Sequence, residues 1–237
     1  MIKVGTKPVP GRTVSAGSAG EGWPLSGLCL ITNRRLCPEP LSVRTEKILA
    51  AGAAFVMLRE KDLPEEQLRP LAEELAEVAQ RHHRRLIINS SLETALAVRA
   101  WGLQLPLDLF LKLRSDSRLA DFNVGVSIHN LEEAMCAWKY GAHRIVAGNI
   151  FKTDCKPGRQ GRGLWFIGAL KQRLKLPIWA VGGLRPDNIG SLVEAGIPVV
   201  CLMSYLLQSP DPARATRGCL AAMAPGLKGS SKYLKKT

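Results

Sequence analysis

The sequence lacks any apolar run approaching the roughly 20 residues a membrane span requires. Its first stretch, Met1 to Ser26, also lacks the compact apolar segment of a secretory signal. The six cysteines (Cys29, Cys37, Cys136, Cys155, Cys201 and Cys219) form no C-x-x-C pair, and no histidine stands at ligand spacing from them. That pattern excludes a zinc ribbon and a small disulfide scaffold, so no metal is expected on these grounds. Cys29 and Cys201 lie inside apolar runs and read as buried, reduced core residues, which points to a cytoplasmic address. No G-x-G-x-x-G follows the first apolar run, which argues against a dinucleotide fold. The net charge is +13, yet it is spread along the chain, with no aromatic-interleaved basic strand and no basic recognition helix. It reads as solvated surface charge, plus a tail carrying Lys228, Lys232, Lys235 and Lys236, and it favours an anionic small substrate over nucleic acid.

What is present is the composition of a globular protein, 46% hydrophobic and 22% charged in 237 residues. That length suits a single α/β barrel of about 200–250 residues. Residues 1–26, rich in Gly, Pro, Ser and Thr, read as a flexible extension, 27–225 as one domain and 226–237 as a flexible basic tail. Short apolar runs predict strands at 28–32, 54–58, 86–89, 102–105, 124–128, 144–148, 178–182 and 199–203. Runs that are apolar throughout suit strands covered on both faces, as parallel sheets require. Helical patterns lie between them. Leu68, Leu71, Leu75 and Val78 keep helical spacing, Asn130 and Gly141 bracket a second helix, and Pro186 and Gly196 bracket another. Strand–helix alternation leaves a closed (β/α)8 TIM barrel or an open doubly wound sheet. The polar residues sit just after strand ends, where a barrel builds its site, so the barrel is expected.

Those strand-end residues are Thr32 and Asn33, Arg59 to Lys61, Asn89, Gln104, Ser127 and His129, the basic loop 151–163, Gly182 and Gly183, and Ser204. Glycines let backbone approach a ligand, and the helix that opens near Pro186 offers free N–H donors, so Gly182-Gly183 and Ser204 form a candidate phosphate site. The loop from Phe151 to Gly163 is basic and glycine-rich, and reads as a lid over an anionic ligand. His129 is the natural proton carrier at neutral pH. His82 and His83 end a helix among arginines, and His143 opens a strand.

The segments Leu58-Arg59-Glu60-Lys61, Ile88-Asn89, Gly125-Val126-Ser127-Ile128-His129, Thr153-Asp154-Cys155-Lys156, Val181-Gly182-Gly183 and Met203-Ser204 resemble, in order, the thiamine phosphate synthase superfamily. The resemblance runs from residue 28 to about 220 and implies a (β/α)8 barrel acting in thiamine biosynthesis. Its synthase branch joins a pyrimidine pyrophosphate to a thiazole phosphate with Mg²⁺, which takes hard oxygen ligands. That branch has Asp where this chain has Ser90 and where it has Leu109; Asp108 is the neighbouring carboxylate. Gln104-Leu105-Pro106 and the segment 151–163 are instead similar to the thiazole tautomerase branch, an isomerase that aromatises a carboxylated thiazole phosphate without metal or other cofactor.

Tautomerase is therefore the expectation, with His129 implied as its acid/base. Arg59, Lys61, Lys156, Asn89, Gln104, Ser127 and Thr153 would bind substrate, and Gly182, Gly183, Met203 and Ser204 would hold its phosphate. The partner expected is a small thiazole phosphate, with neither nucleic acid nor membrane, and a homodimer is compatible with the chain. Arg59-Glu60-Lys61-Asp62 reads more like the synthase branch, which keeps Mg²⁺-dependent coupling as the alternative. A non-catalytic protein that binds a thiamine precursor is the remaining one.

Overall fold

The apolar runs become parallel strands that close on themselves in chain order, β1 through β8 and back to β1. The structure, a computed structural model, describes residues 26–153, 158 and 160–227. The strands are β1 (Gly27–Ile31), β2 (Phe55–Leu58), β3 (Arg85–Asn89), β4 (Gly102–Pro106), β5 (Asn123–Ile128), β6 (Arg144–Gly148), β7 (Ile178–Val181) and β8 (Val199–Leu202). The helices are α1 (Leu41–Ala50), α2 (Glu65–Arg81), α3 (Leu92–Ala97), α4 (Leu107–Leu113) and α5 (Leu131–Lys139). They continue with α6 (Gly163–Arg173), α7 (Pro186–Glu194), α8 (Ser204–Leu207) and α9 (Pro212–Leu227). The proposed extension and tail fall almost wholly outside the described residues.

Strand alternation splits the core in two. Cys29, Phe55, Met57, Ile87, Val146, Trp179 and Cys201 point inward and fill the barrel. Their neighbours, such as Leu30, Val56, Ile88, Val126 and Val200, point outward under the helices. Both faces are thus dry, which is why the strands carry almost no alternation of polarity. The α2 helix buries Leu68, Ala72, Leu75, Val78 and Ala79 and leaves its charged face in solvent. Asn130 accepts a hydrogen bond from the Glu133 amide at 2.7 Å and fixes the start of α5. Observed strand ends differ from the predicted ones by no more than a residue, because a run's apolar character does not mark its last ladder bond.

Candidate active site

The strand registers bring the inward polar side chains to one height. Asn89 of β3 stands opposite Gln104 of β4, and Gln104 stands opposite Gly125 of β5, itself opposite Arg144 of β6. Gln104 Nε2 donates to Ser127 Oγ at 2.9 Å. Beneath them Arg144 is 2% exposed, and its Nη2 donates to Gln104 Oε1 at 3.4 Å. Arg144 Nη1 donates to the Asn123 carbonyl at 2.6 Å and also to the Asn123 side chain. The guanidinium lies over the Trp179 and Trp101 rings, 4.7 and 5.4 Å from their centroids. Burial pulls its pKa down to about 10, since the charged form gives up water. Gly125 leaves the necessary room, because a β-carbon there would come within 2.7 Å of Arg144 Nε.

The rim over β1 and β2 is tied by one buried carboxylate. Glu60 accepts from Thr32 Oγ1 at 2.7 Å and from the Arg34 amide at 3.1 Å. Thr32 in turn accepts from the Arg59 amide at 2.9 Å, so the backbone of Arg59 is fixed at the strand end. Arg34 also grips Asp62 with two hydrogen bonds of 2.8 and 2.6 Å, which hold that carboxyl far below its ordinary range. These contacts carry Arg59 and Lys61 to the wall of a cavity of about 1370 Å³ at the carboxyl ends of the strands.

Opposite, Gly182 and Gly183 adopt φ of 101° and 70°. Side chains would strain in that left-handed region, and a β-carbon on Gly183 would come within 2.9 Å of the Phe151 backbone. The loop after β7 therefore packs directly on the loop after β6, with the Phe151 amide donating to the Gly182 carbonyl at 3.0 Å. Asn188 links this loop to α7: its Nδ2 donates to the Gly183 carbonyl, and its Oδ1 accepts from the Arg185 amide, both at 2.9 Å. His129 sits at the end of β5, where its amide donates to Glu133 Oε2 at 2.6 Å and its Nδ1 lies 3.3 Å from the same oxygen. Nε2 is left as the ring nitrogen for a ligand.

The predicted residues Arg59, Lys61, Asn89, Gln104, Ser127, His129 and Thr153 all line this cavity, as do Gly182, Gly183, Met203 and Ser204. Lys156 lies outside the described residues. The sequence reading missed Arg185 and gave Lys152 no role of its own; both also line the cavity. Nothing distinguishes either from a surface cation until the loops after β6 and β7 are seen to meet. Arg144 and Gly125 were missed as a pair, since a charge at a strand start normally faces solvent.

The Mg²⁺ expected of the synthase branch finds no fitting donors among the described residues. No group of three or more His, Cys, Asp or Glu that could hold a metal ion exists among the described residues. Ser90 lines the cavity where a carboxylate would be needed, and its hydroxyl accepts from Asn89 Nδ2 at 2.8 Å. Asp108 is exposed on α4, away from the cavity lining, so it does not stand in. A neutral hydroxyl is a weak site for a hard divalent ion.

A family described as thiamine monophosphate synthase matches residues 28–206. The thiamine-phosphate synthase of Methanospirillum hungatei JF-1 is 35% identical over 197 residues, covering 81% of this chain and 94% of that protein. The thiamine-phosphate synthase of Pyrococcus furiosus is 30% identical over 80% of this chain and 90% of its own length. The solved thiamine phosphate pyrophosphorylase from Pyrococcus furiosus superposes with a TM-score of 0.74 at 25% identity, covering 85% of this chain and 96% of that one. 3-Hexulose-6-phosphate synthase, at 16% identity and a TM-score of 0.61, shares the fold.

These similarities overturn the tautomerase expectation, and with it the isomerase assignment. Gln104, which carried part of it, is held by Arg144 and Ser127. Part of the other carrying segment, 154–157 and 159, lies outside the described residues. The rim segment Arg59-Glu60-Lys61-Asp62, which pointed the other way, is the one built into the mouth by buried hydrogen bonds. With its closed barrel and its match across residues 28–206, this chain belongs to the thiamine monophosphate synthase family.

Proposed function

We propose that the chain is a transferase that couples a pyrimidine bearing a methylene diphosphate to a thiazole phosphate and releases pyrophosphate. One observation carries the choice within the fold: the cavity wall has cations on two opposite sides. Arg59 and Lys61 follow β2, whereas Lys152 and Arg185 follow β6 and β7, across the barrel. Two separated cation pairs suit two phosphorylated substrates meeting over the barrel axis.

In this reading the thiazole phosphate lies at Gly182, Gly183 and Ser204, where backbone N–H groups and the start of α7 favour an anion. Met203 lines the same end. The diphosphate lies toward Arg59, Lys61 and Asn89. Gln104, Ser127 and Thr153 orient the rings between them, and Lys156, outside the described residues, is a further candidate for a substrate anion. The thiazole ring nitrogen forms its bond to the pyrimidine methylene carbon as the carbon–oxygen bond to the diphosphate breaks, so the electron pair departs with pyrophosphate. Closing cations around the departing oxygens stabilises the charge that develops there. His129, steadied by Glu133, supplies a proton to the leaving group.

The small-molecule partners follow from this reading, and a cytoplasmic address is supported by the buried free thiols Cys29, Cys201 and Cys219. No helix among the described residues is long and apolar enough to cross a membrane. The test incubates purified protein with both substrates and follows thiamine phosphate and pyrophosphate together. Equimolar formation of the two is expected; neither product appearing, with or without Mg²⁺, overturns the assignment.

A further inference from the structure

Four carboxylates close in sequence to cavity-lining residues are each turned to an internal partner. Glu60 is taken by Thr32 and Arg34, and Asp62 by Arg34 and Arg35. Glu65 accepts from Ser91 at 2.7 Å and from Thr94, and Glu133 from the His129 amide. None of these four lines the cavity, and its described lining contains no Asp or Glu at all. The same lining holds Arg59, Lys61, Lys152 and Arg185. Among the described lining residues, a hard divalent cation would meet like charge and neutral donors, with no carboxylate to offset its dehydration.

We infer that this site takes the diphosphate of its substrate directly on cationic side chains, as a metal-free anion. The inference rests on the coupling reading for the identity of the ligand, and departs from the metal use that the resemblance implies. Arg59 offers a planar fork of donors and Lys61 a point charge, both from the loop after β2. Asn89 and Ser90, at the end of β3, add neutral donors at the place where the synthase branch keeps its acid. Mg²⁺ in solution then competes with the protein for the diphosphate rather than bridging the two.

Titration calorimetry with inorganic pyrophosphate, in EDTA and then in millimolar MgCl₂, tests this on the full chain. The dissociation constant in EDTA is expected to equal or lie below that in Mg²⁺. It should rise tenfold or more in Arg59→Gln, with folding checked by thermal melting. Ser90→Asp supplies the missing carboxylate: its affinity should fall in EDTA and recover with Mg²⁺. Wild-type binding that tightens tenfold or more with Mg²⁺, or no binding in either buffer, overturns the inference. The coupling reading is judged apart from it. Pyrophosphate that binds in EDTA without any release of product from the two substrates leaves the metal-free site standing and removes the transferase assignment.

Discussion

Arg144 Nη2 reaches Gln104 Oε1 at 3.4 Å, and the same amide donates from Nε2 to Ser127 Oγ at 2.9 Å. An amide side chain has two faces, and a cation beneath it decides which one is up. With the oxygen held by Arg144, Gln104 must donate to Ser127, which leaves the serine's own proton for a ligand in the cavity. Arg144 is thus a positioning residue that reaches the substrate through two others.

This arrangement separates stability from function. Arg144 Nε has no hydrogen-bond partner, and no carboxylate offsets the buried charge among its described contacts. Removing such a charge relieves its desolvation, which offsets the hydrogen bonds to Asn123 and Gln104 that are lost with it. Arg144→Met is therefore expected to keep or raise the thermal midpoint while kcat/KM falls about tenfold, roughly one hydrogen bond's worth. Gly125→Ala should lose about 1–3 kcal/mol by overpacking against the Gln104 amide and the Arg144 guanidinium. The double variant Gly125→Ala/Arg144→Met should recover about 1 kcal/mol or more of that loss by coupling of adjacent sites. Urea unfolding of the four proteins checks it; strict additivity would sink the account.

Glu60 fastens two loops with one buried carboxylate, and its side chain is 1% exposed. Glu60→Ala would strand the Thr32 hydroxyl, the Arg34 amide and part of the Arg34 charge at once. A loss of about 2–4 kcal/mol is expected from those unsatisfied groups. Glu60→Gln keeps the shape and one acceptor, and should lose less than half as much. Because Thr32 also holds the Arg59 amide, either variant should raise KM for the diphosphate substrate more than for the thiazole phosphate.

Acid should loosen this rim together with two ion pairs elsewhere on the surface. Asp62 is held below its ordinary range by hydrogen bonds from Arg34, Glu46 by Arg81 and His82, and Asp116 by Arg118. In each case the unfolded chain takes up protons first as pH falls, which draws the equilibrium toward unfolding. The stabilisation is complete above the unfolded carboxylate pKa of about 4 and drains away as pH drops through the lower folded values. Thermal midpoints should be flat between about pH 5 and 7 on this account and decline below about pH 4. Asp62→Asn should melt lower at pH 7 and show a shallower acid decline. A decline as steep as wild type would remove Asp62 from the set.

Much of the barrel was legible because parallel strands covered on both faces must be apolar throughout, and runs such as Ile145–Gly148 are. The strand-end set was legible for a related reason, since a polar residue closing an apolar run has little other reason to be there. Arg144 shows where that logic stops. Its identity suggests a surface charge, and only the register beside Gly125 reveals that the guanidinium turns into the barrel. Gln104 misled for the same cause, because its long-range partner is 40 residues away in sequence. Lys152 and Arg185 needed the contact between two loops, and no local spacing encodes that.

The phosphate end offers the sharpest test, because one substitution has opposite meanings at two glycines. Gly183 has φ of 70°, and a β-carbon would meet the Phe151 backbone at 2.9 Å. Backbone cannot step aside as a side chain tip can, so Gly183→Ala must shift the loop after β7 or the loop after β6. The left-handed conformation adds about 1 kcal/mol of strain for alanine. Asn188 ties the Gly183 carbonyl to α7, so any shift is carried to the N–H groups proposed to hold the thiazole phosphate. KM for that substrate should rise about tenfold or more, equivalent to about 1.4 kcal/mol, while KM for the diphosphate substrate changes less. Gly168 lies in α6, where a methyl group would meet nothing within 4 Å, so Gly168→Ala should instead stabilise. A gain of about 0.5–1 kcal/mol is expected there from helix propensity, with both KM values unchanged. Steady-state kinetics and urea melts on the two variants separate the outcomes, and equal KM changes for the two substrates in Gly183→Ala would remove the phosphate from this loop.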